Sequence, residues 1–200
     1  MPVSRPYGTM RAMADLTSLF LAPQDPFADA SGHAVSQVLR ELKIIGDTLG
    51  DDLYRAGDNF SRHVVFAGCS PHLVMEPPEG GSRRFCHVAL HGPFAQPKLV
   101  TGPNTVKPRC PHCRKRFDDW REHLQQWLRN GQQVRCGHCG TVNSVHTIDW
   151  REHALSGRYL IELRNVFPGE ATPSDVFLQT LEQESKMPWR YAWAAYLDID

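Results

Sequence analysis

Residues 107–144 read KPRCPHCRKRFDDWREHLQQWLRNGQQVRCGHCGTVNS, and two spacings inside this stretch organise the reading of the whole chain. Cys110-Pro-His-Cys113 is followed, after 22 residues, by Cys136-Gly-His-Cys139. A C-x2-C turn folds the chain back so that two sulfurs meet along one edge of a tetrahedron, with backbone N–H groups free to point at them. Two such turns supply four soft ligands, which a zinc ion takes at about 2.3 Å with no position left open. That donor set belongs to a structural site. Pro111 stiffens the first turn, while Gly137 and Gly140 permit the tight backbone of the second.

The same residues admit two other chemistries. CPHC and CGHC look like the redox dithiols of thioredoxin-fold oxidoreductases, where a helix start lowers one thiol pKa. Here the motif comes twice, and neither copy lies in a βαβ pattern. Iron in a rubredoxin-like site uses the same four ligands, so spacing alone does not separate it from Zn2+. His112 and His138 lie inside the turns, where side chains point to solvent, and His123, His146 and His153 are not needed to complete the set.

The paired turns resemble those of zinc-ribbon (zinc-knuckle) proteins, over residues 107–144 only. The resemblance implies Cys110, Cys113, Cys136 and Cys139 as ligands, carried on neighbouring β-hairpins. The spacer departs from it, because residues 118–131 read as a helix. Trp120, Leu124, Trp127 and Leu128 share one face, Asp118 can cap the start and Gly131 the end. A ribbon with a helical insertion is expected. A short echo accompanies it: Asp119-Trp120-Arg121-Glu122-His123 recurs as Asp149-Trp150-Arg151-Glu152-His153.

Outward from the cysteines, the charge is uneven. The chain has 22 basic and 22 acidic side chains, which excludes a basic field over the whole molecule. Between Lys98 and Gly140, however, nine basic residues face three acidic ones, so this segment is +6 and the remainder −6. With 41% hydrophobic and 22% charged residues the composition is that of a globular protein. No apolar run approaches the ~18 residues of a membrane span. Met1–Gly8, with Pro2 and Pro6, lacks a signal-peptide pattern. The reading is cytoplasmic with no membrane partner, which suits cysteines in metal spacing.

Three regions are expected: an arm over 1–30, an α+β domain formed by 31–106 and 145–200, and the zinc-binding module over 107–144. The arm carries a helix from Met10 to Leu21. A second helix starts at a Ser31 cap, presents Val35, Val38, Leu39, Leu42 and Ile45 on one face, and ends among Gly46 and Gly50. His63–Ala67 and Arg84–Leu90 read as strands of a hairpin turning at Pro77-Pro78-Glu79-Gly80-Gly81, with His72–Met75 extending the first. Residues 97–109 read as a linker. After the module come a strand over Tyr159–Leu163, a helix capped by Thr172 with Phe177, Leu178 and Leu181 on its buried face, and a strand over Trp189–Leu197. The class is α+β, an antiparallel sheet with helices on one face, with a ferredoxin-like layout as one form of it.

Three functions fit these features. A non-enzymatic adaptor would use the module to meet a protein partner. A nucleic-acid-binding protein would use Arg109, Arg114, Lys115, Arg116 and Trp120 for phosphates and bases. An enzyme would use Cys69, Ser70 and His72, where a thiol, a hydroxyl and an imidazole leave a strand end together. Cys86 alternates with Val88 and Leu90 and reads as core. His87 and His91 sit about 13 Å apart along one strand face and cannot share a metal directly.

Overall fold

The computed structural model describes residues 18–66, 73–129, 131–166, 171–194 and 196–197. The first described strand, β1 (Ser18–Pro23), is buried along its whole length. Its side chains alternate. Leu19 and Leu21 enter one apolar cluster, while Phe20 and Ala22 enter another on the opposite face. A strand covered on both faces reads as an unbroken apolar run, without the period that would distinguish it from a short helix. The helix expected to reach Leu21 is therefore corrected to a strand from Ser18 onward. Residues 1–17 lie outside the described residues.

The strand β1 belongs to a six-stranded sheet with β2 (Ile45–Gly50), β3 (Leu53–Ala56), β5 (His87–His91), β10 (Leu160–Arg164) and β12 (Trp189–Ala194). The order is β12-β1-β10-β5-β3-β2, and every pairing is antiparallel. The chain is thus α+β, although a ferredoxin-like β-α-β-β-α-β layout does not describe this order. Leu19 lies opposite Leu163 on one side and Trp193 on the other, so one face is apolar across three strands.

That face is covered by two helices. The first, α1 (Gly32–Glu41), has Ser31 as its cap, accepting from Ala34 N, and buries Val35, Val38 and Leu39. It stops earlier than its apolar spacing implies. Lys43 takes a left-handed φ of 54°, and Ile44 N returns to Leu39 O at 2.9 Å, a Schellman-like closure that releases Ile45 into β2. The second long helix on this face follows β11 (Ala171–Pro173), which pairs with β4 (Val64–Phe66). Its cap is Ser174, not Thr172: Ser174 Oγ accepts from Phe177 N at 3.2 Å, and Thr172 is still in the strand. The helix itself, Asp175–Ser185, buries Phe177 and Leu181.

The expected hairpin is also corrected. Residues 60–63 form one helical turn, α2, before β4, and β5 sits between β10 and β3 instead of beside β4. Residues 73–75 are not in a strand. Two strand candidates adjacent in sequence pair by default, but the faces of Val88 and Leu90 match those of Leu163 and Ile161 across the sheet.

The opposite face carries β6 (Lys98–Thr101) and β9 (Leu155–Gly157), which form a small sheet with β13 (Tyr196–Leu197). Residues 98–101, expected in a linker, are therefore a strand. The Gly-Pro signal belongs to the turn beyond it, where Gly102 N donates to Thr105 Oγ1 at 2.7 Å. Val100 and Leu155 pack on Phe20, Leu160 and Ala192. Their neighbours Leu99 and Ala154 point the other way, into the cysteine module.

One charged group is buried in this sheet. Glu162, only 8% exposed, accepts from His91 Nε2 at 2.8 Å and Arg164 Nε at 2.8 Å. Burial alone would raise its pKa. The His91 and Arg164 hydrogen bonds, with the Arg164 charge, outweigh that and hold it at about 2. A depressed carboxylate stabilises the fold above its unfolded pKa near 4.5 and loses that contribution as pH falls toward 2. Glu162→Gln should lower stability at pH 7 by about 3 kcal/mol and flatten the acid limb over that window, as read by urea unfolding at several pH values.

Candidate metal centre

The two cysteine turns are built alike. In the first, Arg114 N donates to Cys110 O and Cys110 N to Lys115 O, both at 2.9 Å. In the second, Gly140 N donates to Cys136 O and Cys136 N to Thr141 O, again at 2.9 Å. The residue after each second cysteine is left-handed: Arg114 at φ 63° and Gly140 at φ 74°. The second turn closes a hairpin of β7 (Gln133–Arg135) and β8 (Val142–Ser144). The first is held by isolated bridges from Arg109 to Arg116 and to Asp149.

These turns bring four sulfurs to one point. Cys110, Cys113, Cys136 and Cys139 have their Sγ atoms within 4.8 Å of one another. Cys110 Sγ lies 3.8 Å from Cys139 Sγ, and Cys113 Sγ lies 3.6 Å from Cys136 Sγ. A tetrahedron with metal–sulfur bonds of about 2.3 Å has edges of about 3.8 Å, so the spacing fits one metal ion and is far too wide for disulfides. Backbone N–H groups of His112 and Cys113 serve Cys110, that of Lys115 serves Cys113, and that of Thr141 serves Cys139. Asn143 Nδ2 points at Cys110 Sγ from 3.9 Å. The four cysteines are thus a cluster that can hold a metal ion, compatible with a zinc-binding knuckle.

The electrostatics favour a cation in the middle. The Thr141 hydroxyl and N–H bring the Cys139 thiol down to about 6. The Lys115 N–H also lowers Cys113, yet burial and the three neighbouring sulfurs push that thiol up to about 11. Thiolates this close cannot all ionise together unless a positive charge sits between them.

Beneath the sulfurs lies a separate apolar cluster of Leu99, Trp120, Val134, Val145, Ile148, Trp150 and Ala154. The spacer helix α3 (Trp120–Arg129) enters it through Trp120, with Leu124, Trp127 and Leu128 packed alongside. Trp120 and Trp150, the tryptophans of the echoed pentapeptides, meet edge to face at 5.3 Å. Trp150 is fully buried, and its Nε1 donates to Val145 O at 2.8 Å. The echo therefore places two tryptophans against one another in the core of the cysteine module. Trp120, a candidate contact residue by sequence, is 5% exposed and sits in this core.

The other candidates fall elsewhere. Arg114 pairs with Asp149 at 3.3 Å, Arg109 is half-buried, and Lys115 and Arg116 are exposed. His112, His123 and His138 are exposed, and none of the nine histidines among the described residues joins the sulfur cluster. Cys86 is buried in the main core, where burial pushes its thiol up to about 11. Cys69, Ser70 and His72 lie outside the described residues. Sequence reasoning missed Thr141 and Asn143; the position of Thr141, two residues past Cys139 as Lys115 is past Cys113, was the available signal. No protein-family model, no curated protein and no solved structure matches the chain.

Two expectations follow from local geometry. A left-handed residue with a side chain costs roughly 1 kcal/mol more than glycine. Arg114→Gly and Arg114→Ala both delete the exposed pair with Asp149, so Arg114→Gly should melt as the more stable of the two by about that amount. His146, 1% exposed with Nδ1 2.9 Å from Ser156 Oγ, is held by burial at about 4. A histidine buried in its neutral form stabilises above its unfolded pKa of 6.5, and that stability drains away as pH falls toward 4. His146→Gln should remove on the order of 3 kcal/mol of pH dependence across this window in chemical-denaturation curves.

Proposed function

We propose that the four cysteines bind one structural Zn2+, that residues around them form a zinc-ribbon module with a helical insertion, and that the chain is a non-enzymatic interaction protein. The observation that carries this reading is the closed set of four sulfurs at tetrahedral separations. Four protein ligands leave no coordination position for water or substrate, as structural zinc requires and catalytic zinc does not. The N–H groups aimed at sulfur support thiolate ligands.

The module's position supports a role in contact. It rides on the sheet face opposite the helices, joined to it through the two-sided strands β6 and β9. This arrangement leaves both knuckles and the outer side of α3 toward solvent, with Lys115, Arg116, Arg121 and Arg129 exposed. A surface fixed by a metal is rigid before its partner arrives, which lowers the ordering cost of association.

Elemental analysis of the purified chain should return one zinc per molecule. Cys113→Ser should lose that zinc and unfold the module, because structural zinc contributes about 10–16 kcal/mol of apparent folding free energy in small zinc-finger peptides. A Cys113→Ser protein with full zinc and unchanged melting would overturn the reading, and stoichiometric iron in the parent would correct the metal.

A further inference from the structure

We infer that the first knuckle and the edge of α3 that carries His123 and Trp127 bind single-stranded nucleic acid, with aromatic rings stacking on bases and the module's exposed cations holding phosphates. This rests on the proposal that the metal fixes the module as a contact surface, and it names the partner of that surface.

An aromatic column stands on the module. The Trp127 and His123 rings lie at 6.2 Å and 27° to one another, and Phe117 meets Trp127 edge-on at 5.7 Å. Phe117 and Trp127 are half-buried and His123 is exposed, so their inner edges are anchored while part of their surface faces water. Rings held in this way can stack on planar ligands without first being ordered. Base–aromatic stacking is worth about 1–3 kcal/mol per base and tolerates any sequence.

Exposed cations share the module with these rings. Lys107 is committed to Asp118, Arg114 to Asp149, and Arg121 to the carbonyls of Pro103 and Thr105. Lys115, Arg116 and Arg129 are exposed and make no ion pair among the described residues. Arg116 adjoins Phe117, and Arg129 lies in the last turn of the helix that carries Trp127. Asp118, Asp119 and Glu122 lie around the start of that helix, with Arg116 close enough to Asp118 to lower its pKa, and a phosphate backbone would be held at Lys115, Arg116 and Arg129. An acidic peptide would be served by the cations alone. A duplex hides its base faces. The pairing of free cations with stackable rings is the chemistry of an unpaired strand.

Fluorescence anisotropy of the full chain tests this with a labelled 20-nucleotide single-stranded DNA, the same sequence as RNA, the DNA duplex, and polyglutamate. Zinc content and melting are measured on each sample. Single strands should bind best, with affinity falling with salt at a log–log slope of about −2 for three phosphate contacts. Trp127→Ala should weaken binding about tenfold, with Trp127→Phe restoring most of it. His123→Ala, at an exposed position, should weaken binding without moving the melt. Arg116→Glu should weaken binding and make the salt slope shallower by nearly one. Zinc-loaded protein that ignores single strands at low salt, or takes polyglutamate or duplex equally well, overturns the inference. Protein that binds single strands without metal overturns the zinc reading and leaves this surface standing.

Discussion

Sulfur atoms 3.6–3.8 Å apart, four of them around one point, are an arrangement that protein packing does not hold by itself. As thiols they are poor hydrogen-bonding partners for each other, and as thiolates they repel. One dication at the centre would convert that repulsion into attraction and fix two turns that are otherwise 22 residues apart. The spacer helix between the two turns sends Trp120 into the module's core, where it meets Trp150.

The module is joined to the main body through side chains that alternate along a strand. In β6, Leu99 enters the module's core and Val100 the core of the body; before and at the start of β9, Ala154 and Leu155 divide in the same way. A strand has two faces by geometry, so four adjacent residues suffice to weld two cores. Loss of a metal there would reach the central sheet largely through Leu99 and Ala154. The hydrogen bond from Asn104 Nδ2 to Trp193 O, at 2.8 Å, adds a polar tie between the same two parts.

What could be read in the sequence was local. The cysteine spacing, the Ser31 cap, the apolar faces of α1 and of the helix over Asp175–Ser185, and the burial of Cys86 all depend on residues within a few positions of one another. What could not be read depended on what covers a segment. Leu19–Pro23 is uniformly apolar because it is sandwiched, and Lys98–Thr101 was hidden by the Gly and Pro residues that follow it. Thr172 and Ser174 both suit a helix cap, and only the pairing of Ala171–Pro173 with Val64–Phe66 decides between them. The Glu162 site joins a histidine 71 residues away in sequence, and no local spacing announces that Trp120 packs on Trp150.

The central claim is that these sulfurs share one zinc ion, and X-ray absorption at the zinc edge of the untagged, freshly purified chain addresses it most directly. A single shell of four sulfurs at about 2.3 Å is the result this account requires. A shell containing nitrogen or oxygen, or no zinc absorption at stoichiometric strength, would contradict it.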